Sequence, residues 1–428
     1  MDPIDYLFSL EQYGIKLGLD NITALCRGLD HPERTFTPIL IAGTNGKGSV
    51  AAMVDTALRA SGYTTGRFTS PHLVDLEERF AVNGRPITRD MLSREAQQLQ
   101  TTIQRLQGTA ELKQAPTFFE ATTAIAFSLF RQTGAQVGVL EVGMGGRFDA
   151  TNVVTAPAAV VTSVDVDHER FLGSTLPEIA FEKAGVIKPG TLVVTGETKP
   201  PVVKVLRQVC KERKARLVEA LEQVKIRTTI LDGKTELELV TPVRHYQPVK
   251  MSLRGRHQVR NAVVAVRLLE ELGNIGLPVT ATAILDALVE TRWPGRLDLI
   301  YLDDRRAVLL DAAHNVAAAV ALGQYLAEVF PAGVPLVFAA ARDKDAAGML
   351  RALDHSITRV ICAPLRTHRS VAARELAAVA TTSCPDLPVA VADSSRDALQ
   401  TAYADADVAC AAGSIYLIGE LMHDLASL

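Results

Sequence analysis

Short apolar runs alternate along most of the chain with longer stretches in which apolar positions recur every three or four residues, and that rhythm predicts strands separated by amphipathic helices. Pro38 to Ile41 reads as a buried strand, followed by an alanine-rich helix from about Ser49. VGVLEV near 137 to 142 and AAVVTSV near 158 to 164 read as further strands, with helices near 88 to 107 and 116 to 133. Such alternation implies a parallel sheet covered on both faces. Between about 215 and 254 the pattern changes to short strands around turns such as Asp232-Gly233, typical of an antiparallel hairpin region. Helices return near 257 to 272 and 280 to 291. The segment WPGR, Trp293 to Arg296, then breaks the helical pattern and opens a fresh series: RLDLIYL, AVLLDAA, PLVFAAA, RVICAP and PVAVA as strands, with alanine-rich helices between. Proline and glycine in that break suit a hinge.

Composition narrows what such a chain can be. Its 428 residues exceed the size at which one core keeps growing, so two domains are expected, and a 48% hydrophobic content fills their cores. A formal net charge of −3 and the absence of a long basic run argue against nucleic acid or an anionic membrane as partner. The N-terminal MDPIDYLFSLEQYG carries acids where a signal peptide needs bases, and no apolar run approaches the roughly 18 residues of a membrane span. A cytoplasmic enzyme acting on small molecules is expected. Five scattered cysteines form no CxxC pair, which argues against a disulfide framework or structural zinc and for reduced, mostly buried thiols.

Candidate chemistry begins at PILIAGTNGKGSVAAMVD, residues 38 to 55. Strand, glycine loop, helix is the arrangement of an anion site, because a helix N-terminus presents unpaired N–H groups and glycines let the backbone approach phosphate closely. Gly43, Gly46 and Gly48 bracket Lys47, which would reach the terminal phosphates; the pattern is shorter than GxxxxGK[ST], since Gly48 separates Lys47 from Ser49. At the ends of neighbouring strands stand Glu141, followed by Arg147 and Asp149, and then Asp165, Asp167 and His168. Such groups can hold Mg²⁺, although that ion favours oxygen ligands. His168 alone also reads as a hydrogen-bonded loop histidine, and Glu141 alone as a partner of Arg147.

AGTNGKGSV, TSPHLVDLEERF (69 to 80), FFEATTAIA (118 to 126), EVGMGGRFDATN (141 to 152), DHERFLGSTLPEIAFEKAG (167 to 185), LRGRHQVRNAVVA (253 to 265), WPGR and DAAHN (311 to 315) resemble successive motifs of the folylpolyglutamate synthase/dihydrofolate synthase family, within the Mur ligase superfamily. Their order and spacing cover nearly the entire chain, and GTNGKGS looks like the folate branch. The resemblance implies an α/β fold: an N-terminal P-loop-type parallel-sheet ATPase domain over 1–293 and a smaller C-terminal Rossmann-like α/β domain over 297–428 that carries the glutamate-ligase function. It implies an ADP-forming ligase in which the ATP γ-phosphoryl group activates a substrate carboxylate as an acyl phosphate and the amino group of L-glutamate attacks it. Substrates implied are dihydropteroate and reduced folates, with a monomer as the working unit.

Carried over residue by residue, the resemblance assigns ATP binding to Asn45, Gly46, Lys47, Gly48, Ser49, Asn261, Arg296 and Asp311. It assigns magnesium, two ions in all, to Ser70, Glu141, His168 and a carbamylated Lys183; without the motif, Lys183 would read as a helix lysine paired with Glu182. Carbamylation requires a neutral amine, so burial or neighbouring cations should lower that pKa. Arg296 reads equally as a hinge ion-pair residue. His314 and Ser414 match positions used for the incoming glutamate, His314 with a catalytic role beside Lys47 and Lys183. Thr117 and the loop Phe148, Asp149, Ala150 match a dihydropteroate pocket, where Phe148 replaces a commoner leucine and either stacks on the pterin or fills the loop's core. Other departures are Met144, Ala312, Val316 and the near-N-terminal GLDN (18 to 21), which lacks an arginine often found there.

Two competing readings remain at this level. One is a Mur-type ligase acting on a UDP-linked acceptor, against which the GKGS loop and the lack of an obvious uridine-binding N-terminal domain count. The other is a regulatory GTPase, for which RDKD at 342 to 345 is a faint match in the wrong domain.

Overall fold

The computed structural model describes residues 2–302, 305–367 and 369–426. An eight-stranded sheet is built from β1 (Thr37–Ala42), β2 (Thr65–Phe68), β3 (Phe80–Val82), β4 (Arg85–Pro86), β5 (Val137–Glu141), β6 (Ala158–Val161), β7 (Leu192–Thr195) and β8 (Arg216–Glu219), in the order β4-β3-β2-β5-β1-β6-β7-β8. From β2 to β8 its pairings are parallel, and β3 and β4 extend it antiparallel at one edge. The continuous apolar runs follow from that burial: Ile39, Leu40 and Ile41 of β1 have no exposed surface, and burying such a side chain stabilises by about 2 kcal/mol. Helices Lys47–Ala60, Arg89–Gly108 and Phe118–Gln132 belong to the same unit, the last placing Phe127 and Phe130 against Phe36.

A separate three-stranded sheet, ordered β11-β10-β9, comes from β9 (Lys225–Leu231), β10 (Lys234–Val240) and β11 (His245–Lys250), with Asp232 and Gly233 at its tight turn. The hairpin region is therefore shorter than its sequence suggests, because β8 joins the large sheet in parallel with β7 instead. The last sheet contains β12 (Asp298–Tyr301), β13 (Ala307–Leu310), β14 (Val334–Phe338), β15 (Ile357–Cys362), β16 (Val389–Val391) and β17 (Val408–Ala412), ordered β12-β13-β17-β14-β15-β16. It is parallel except for β12, an antiparallel edge strand on β13. Its core gathers Leu309, Leu336, Phe338, Val360 and Leu376.

The chain forms two compact units, Met1–Ile226 with Leu239–Gln247 and Arg260–Thr291, and Arg227–Glu238 with Pro248–Val259 and Arg292–Leu428. All five cysteines are buried free thiols. Among the described residues no helix is long and apolar enough to cross a membrane.

Candidate functional site

In the first unit the order β2-β5-β1-β6 brings four strand ends to one edge of the sheet. β1 lies between β5 and β6, so the chain leaves for opposite sides on either flank, which is where open α/β sheets form their ligand crevice. Ser70 follows β2, Glu141 ends β5, the glycine loop follows β1, and Ser163 to His168 follow β6.

The glycine loop is held from behind by the β6 end. The Thr44 amide donates to the Ser163 carbonyl at 2.7 Å. The Asn45 amide donates to Ser163 Oγ at 3.1 Å, and Thr162 Oγ1 donates to the Asn45 carbonyl at 2.6 Å. Gly43 and Gly46 have φ of +147° and +84°, in the region that favours glycine. A Cβ on Gly43 would collide with Thr162 Oγ1, and one on Gly46 with Asn261 Oδ1. Asn261 is thus seated against the loop to which sequence linked it. The helix begins at Lys47, two residues before its expected start, so that Gly48 and Ser49 lie within its first turn. Lys47 Nζ folds over the loop onto the carbonyls of Gly43 and Thr44 at 3.2 and 3.1 Å.

Lys183 shares one of those carbonyls, with its Nζ 2.9 Å from the Gly43 oxygen and only 4% of the residue exposed. Burial first, and then the charge of Lys47, pull its pKa down to about 7, against the attraction of Asp167, Asp149 and Asp165. Part of its population is therefore neutral at physiological pH, as carbamylation requires. Glu182 does not pair with this lysine. It accepts from Arg147 Nη2 at 2.7 Å, so Arg147 is committed to Glu182, and the guanidinium lies over the rings of Phe148 and Phe181 at 4.5 and 5.3 Å.

Glu141 is buried and its Oε2 accepts the Ser70 amide at 3.2 Å, which joins two of the predicted metal ligands. Ser70 precedes a cis peptide bond to Pro71. His168 is a left-handed residue, φ +54°, whose amide donates to Asp167 Oδ1 at 2.9 Å. Among the described residues no group of three or more His, Cys, Asp and Glu is gathered for a metal. The Glu141 carboxylate with a neighbouring serine nevertheless fits Mg²⁺, which keeps several waters and needs few protein oxygens. The neighbouring His72 of TSPH has no role that its sequence context assigns. Arg79 Nε donates to its Nδ1 at 3.0 Å, and burial followed by that guanidinium pushes its pKa down to about 4, leaving it neutral.

Thr117 caps the helix Phe118–Gln132: its Oγ1 accepts the Glu120 amide at 3.2 Å while Glu120 Oε2 accepts the Thr117 amide at 2.7 Å. Asn21 of GLDN also donates to Glu120 Oε2, at 3.3 Å. This helix packs against the turn Ala150–Val153, which Asp149 opens. Asp149 is buried and accepts the amides of Met144 and Thr151 at 2.9 and 3.0 Å. Burial raises its pKa despite those bonds. Ala150 is buried, whereas Phe148 is 38% exposed, so it does not fill the loop's core.

In the second unit the ends of β13 and β17 stand side by side. Asp311, just past β13, is buried and accepts the amides of Leu297 and Ala313, each at 2.9 Å. Burial raises its pKa, against the nearby Arg296. Arg296 Nη1 donates to the Gly295 carbonyl at 3.0 Å. His314 Nδ1 lies 2.9 Å from the Ala312 carbonyl, which sets that nitrogen as the protonated one. The Gly413 amide donates to the Ala313 carbonyl at 2.9 Å, bringing the buried Ser414 next to DAAHN. His257, unremarked in sequence, has its pKa lowered to about 4 by burial and then by Arg296.

A glycine loop after β1, with two lysines on one of its carbonyls, thus stands beside the end of β5, where the Glu141 carboxylate accepts the Ser70 amide. The profile of the Mur ligase middle domain matches residues 41–269, and that of the Mur ligase glutamate ligase domain matches residues 295–415. The chain is a Mur ligase. It belongs to the dihydrofolate synthase/folylpolyglutamate synthase family. It is 35% identical to the dihydrofolate synthase/folylpolyglutamate synthase of Bacillus subtilis over 82% of either chain. To that of Mycobacterium tuberculosis it is 36% identical, over 92% of this chain and 83% of the relative. The crystal structure of Mycobacterium tuberculosis folylpolyglutamate synthase complexed with ADP and AMPPCP matches with a TM-score of 0.91 at 32% identity, covering 99% of each chain. E. coli FolC in complex with DHPP and ADP matches with a TM-score of 0.88 at 28% identity, covering 100% of this chain and 98% of that one.

Proposed function

We propose that the protein is an ATP-dependent, ADP-forming ligase that joins L-glutamate to dihydropteroate and to the γ-carboxylate of tetrahydrofolate and its polyglutamates. The observation that carries this reading is the convergence of Lys47 and Lys183 on the Gly43 carbonyl, in a glycine loop that follows β1 and opens a helix at Lys47. A carboxylate is a poor electrophile until one oxygen becomes a leaving group, and phosphorylation by ATP makes it one. Asn45, Gly46, Lys47, Gly48 and Ser49 would cradle the triphosphate, with Asn261 beside them. Lys47 would follow the charge that builds on the transferred phosphoryl group. Ser70, Glu141 and His168 would hold Mg²⁺, and a carbamate on Lys183 would help hold a second. The metal would neutralise charge between the phosphates and the attacking oxygen.

Residues 1–293 would form the ATP-binding domain and 297–428 the glutamate-ligase domain. We assign Arg296, just before the latter, and Asp311 within it to nucleotide, and His314 and Ser414 to the incoming glutamate. Thr117, Phe148, Asp149 and Ala150 would face the pterin-bearing acceptor; the exposure of Phe148 supports stacking on a flat ring. We place the enzyme in the cytoplasm as a monomer, a state that light scattering would check. The test is ADP release by the purified chain with ATP, Mg²⁺ and glutamate, comparing dihydropteroate with tetrahydrofolate. Release with both is expected. Release with only one acceptor would overturn bifunctionality, and release indifferent to glutamate would overturn the ligase reading.

A further inference from the structure

The turn after β7, Gly196 to Lys199, is built to a density of contacts that chain reversal alone does not need. Glu197 is 3% exposed and both carboxylate oxygens are filled by amides. Its Oε2 accepts Val164 N–H at 2.8 Å, and its Oε1 accepts Thr198 N–H and Lys199 N–H at 2.7 and 2.9 Å. Burial opposes ionisation, yet those amides and the Lys199 ammonium outweigh it and hold the carboxyl below its ordinary range. Lys199 Nζ in turn donates to Asp165 Oδ1 at 2.6 Å and to the Val164 carbonyl at 2.8 Å.

Asp165 leads straight to the phosphate loop. The Asp165 amide donates to Thr44 Oγ1 at 3.0 Å, and the same hydroxyl donates back to the Asp165 carbonyl at 3.2 Å. On its other flank the turn is tied to the helix that carries Asn261. The Arg260 guanidinium donates from Nε and Nη2 to the Gly196 carbonyl at 3.0 and 2.5 Å, and from Nη2 to Thr198 Oγ1 at 3.2 Å. Asn261, the next residue, lies against Gly46.

We propose that Glu197 and Lys199 form a clasp that presets the phosphate loop and Asn261 for the triphosphate, as positioning residues that touch neither nucleotide nor acceptor. The proposal rests on the nucleotide-binding reading above. Its logic is that a loop of glycines gains reach at the cost of stiffness, and must be ordered by its neighbours before it can present converging amides. Charge-assisted hydrogen bonds from a buried carboxylate are the strong kind, and losing them leaves buried amides without partners.

The test is binding of AMPPNP with Mg²⁺ to the full chain by calorimetry, together with steady-state KM values for ATP and glutamate. Lys199→Met is the first variant, because the Lys199 side chain is 40% exposed and its replacement spares the core. It should weaken AMPPNP about tenfold, while KM for glutamate stays within about twofold. Glu197→Gln, which keeps one acceptor oxygen, should weaken it further. A cycle with Thr44→Val gives the sharper reading: the double variant should be no weaker than the worse single one, because both act through Asp165. Wild-type affinity in Lys199→Met, multiplicative losses in the cycle, or equal loss of ATP and glutamate binding would each overturn the clasp. Failure of the unmodified chain to bind AMPPNP would instead remove the nucleotide-binding reading beneath it.

Discussion

A buried ammonium beside a second ammonium is costly to a fold, and Lys183 occupies such a place against the Gly43 carbonyl. Its pKa is lowered to about 7 from an ordinary 10.5. Between those values the unfolded chain binds a proton that the folded chain does not, so this group makes stability rise with pH across that window. Lys183→Ala should flatten that rise in urea unfolding, while slowing ADP release by about a hundredfold or more and leaving the circular dichroism unchanged. Bicarbonate should activate the wild type more at pH 8 than at pH 6, because the neutral amine is the reactive form, and should not activate the variant. Equal turnover in Lys183→Ala would take the carbamate out of the account. Gly43 is the other residue with little latitude: at φ +147° and against Thr162 Oγ1, alanine would be strained and crowded at once. Gly43→Ala should cost about 2 kcal/mol of stability and most of the nucleotide affinity, the first read by unfolding and the second by AMPPNP titration.

At the scale of elements, the helix Phe118–Gln132 carries a capping box that gives Thr117 a structural duty beside its proposed contact with the acceptor. Thr117→Ala should cost about 1 kcal/mol, and Thr117→Ser should restore it. If Thr117 also faces the pterin, KM for dihydropteroate will rise in the alanine variant by more than that for ATP; an equal change in both would leave it a cap only. The same element shows what sequence can carry. Its apolar spacing and its Thr-x-x-Glu start are local, so the helix expected over 116 to 133 lies at Phe118–Gln132. The glycine loop, β1 and β5 were equally legible, because glycines, a lysine and an apolar run sit within one short window. Strand partners are not local. RLVE at β8 reads like the hairpin strands after it, yet pairs in parallel with β7, and β12 looks like the other strands of its series, yet runs antiparallel on β13. The short β3 and β4 gave no periodic signal at all. In the site, residue types were legible and couplings were not: Arg147 turns to Glu182 instead of Glu141, and the sharing of Gly43 by Lys47 and Lys183 joins positions far apart in sequence.

Across the whole molecule, acid should act through imidazoles that the fold keeps neutral, among them one described in each compact unit. His72, beside Arg79, belongs to the first unit, and His257, beside Arg296, to the second; burial and then the neighbouring guanidinium bring each pKa to about 4. An ordinary histidine titrates near 6.5, so between about pH 4 and 6.5 the unfolded chain holds protons that the folded chain refuses. The sign follows directly. The stability that these two groups govern is full above about pH 6.5, falls as pH drops through the window, and stops falling below about pH 4. The upper bound is about 3 kcal/mol for each residue, and partial exposure reduces it. His72→Gln and His257→Gln should each shallow the acid limb of a stability curve measured by urea unfolding. Because the two sites lie in separate units with different partners, their effects should add in the double variant. Curves that coincide with the wild type would mean that both rings already accept a proton in the folded state. In that case the geometry at Arg79 and Arg296 would have to relax to admit a second positive charge.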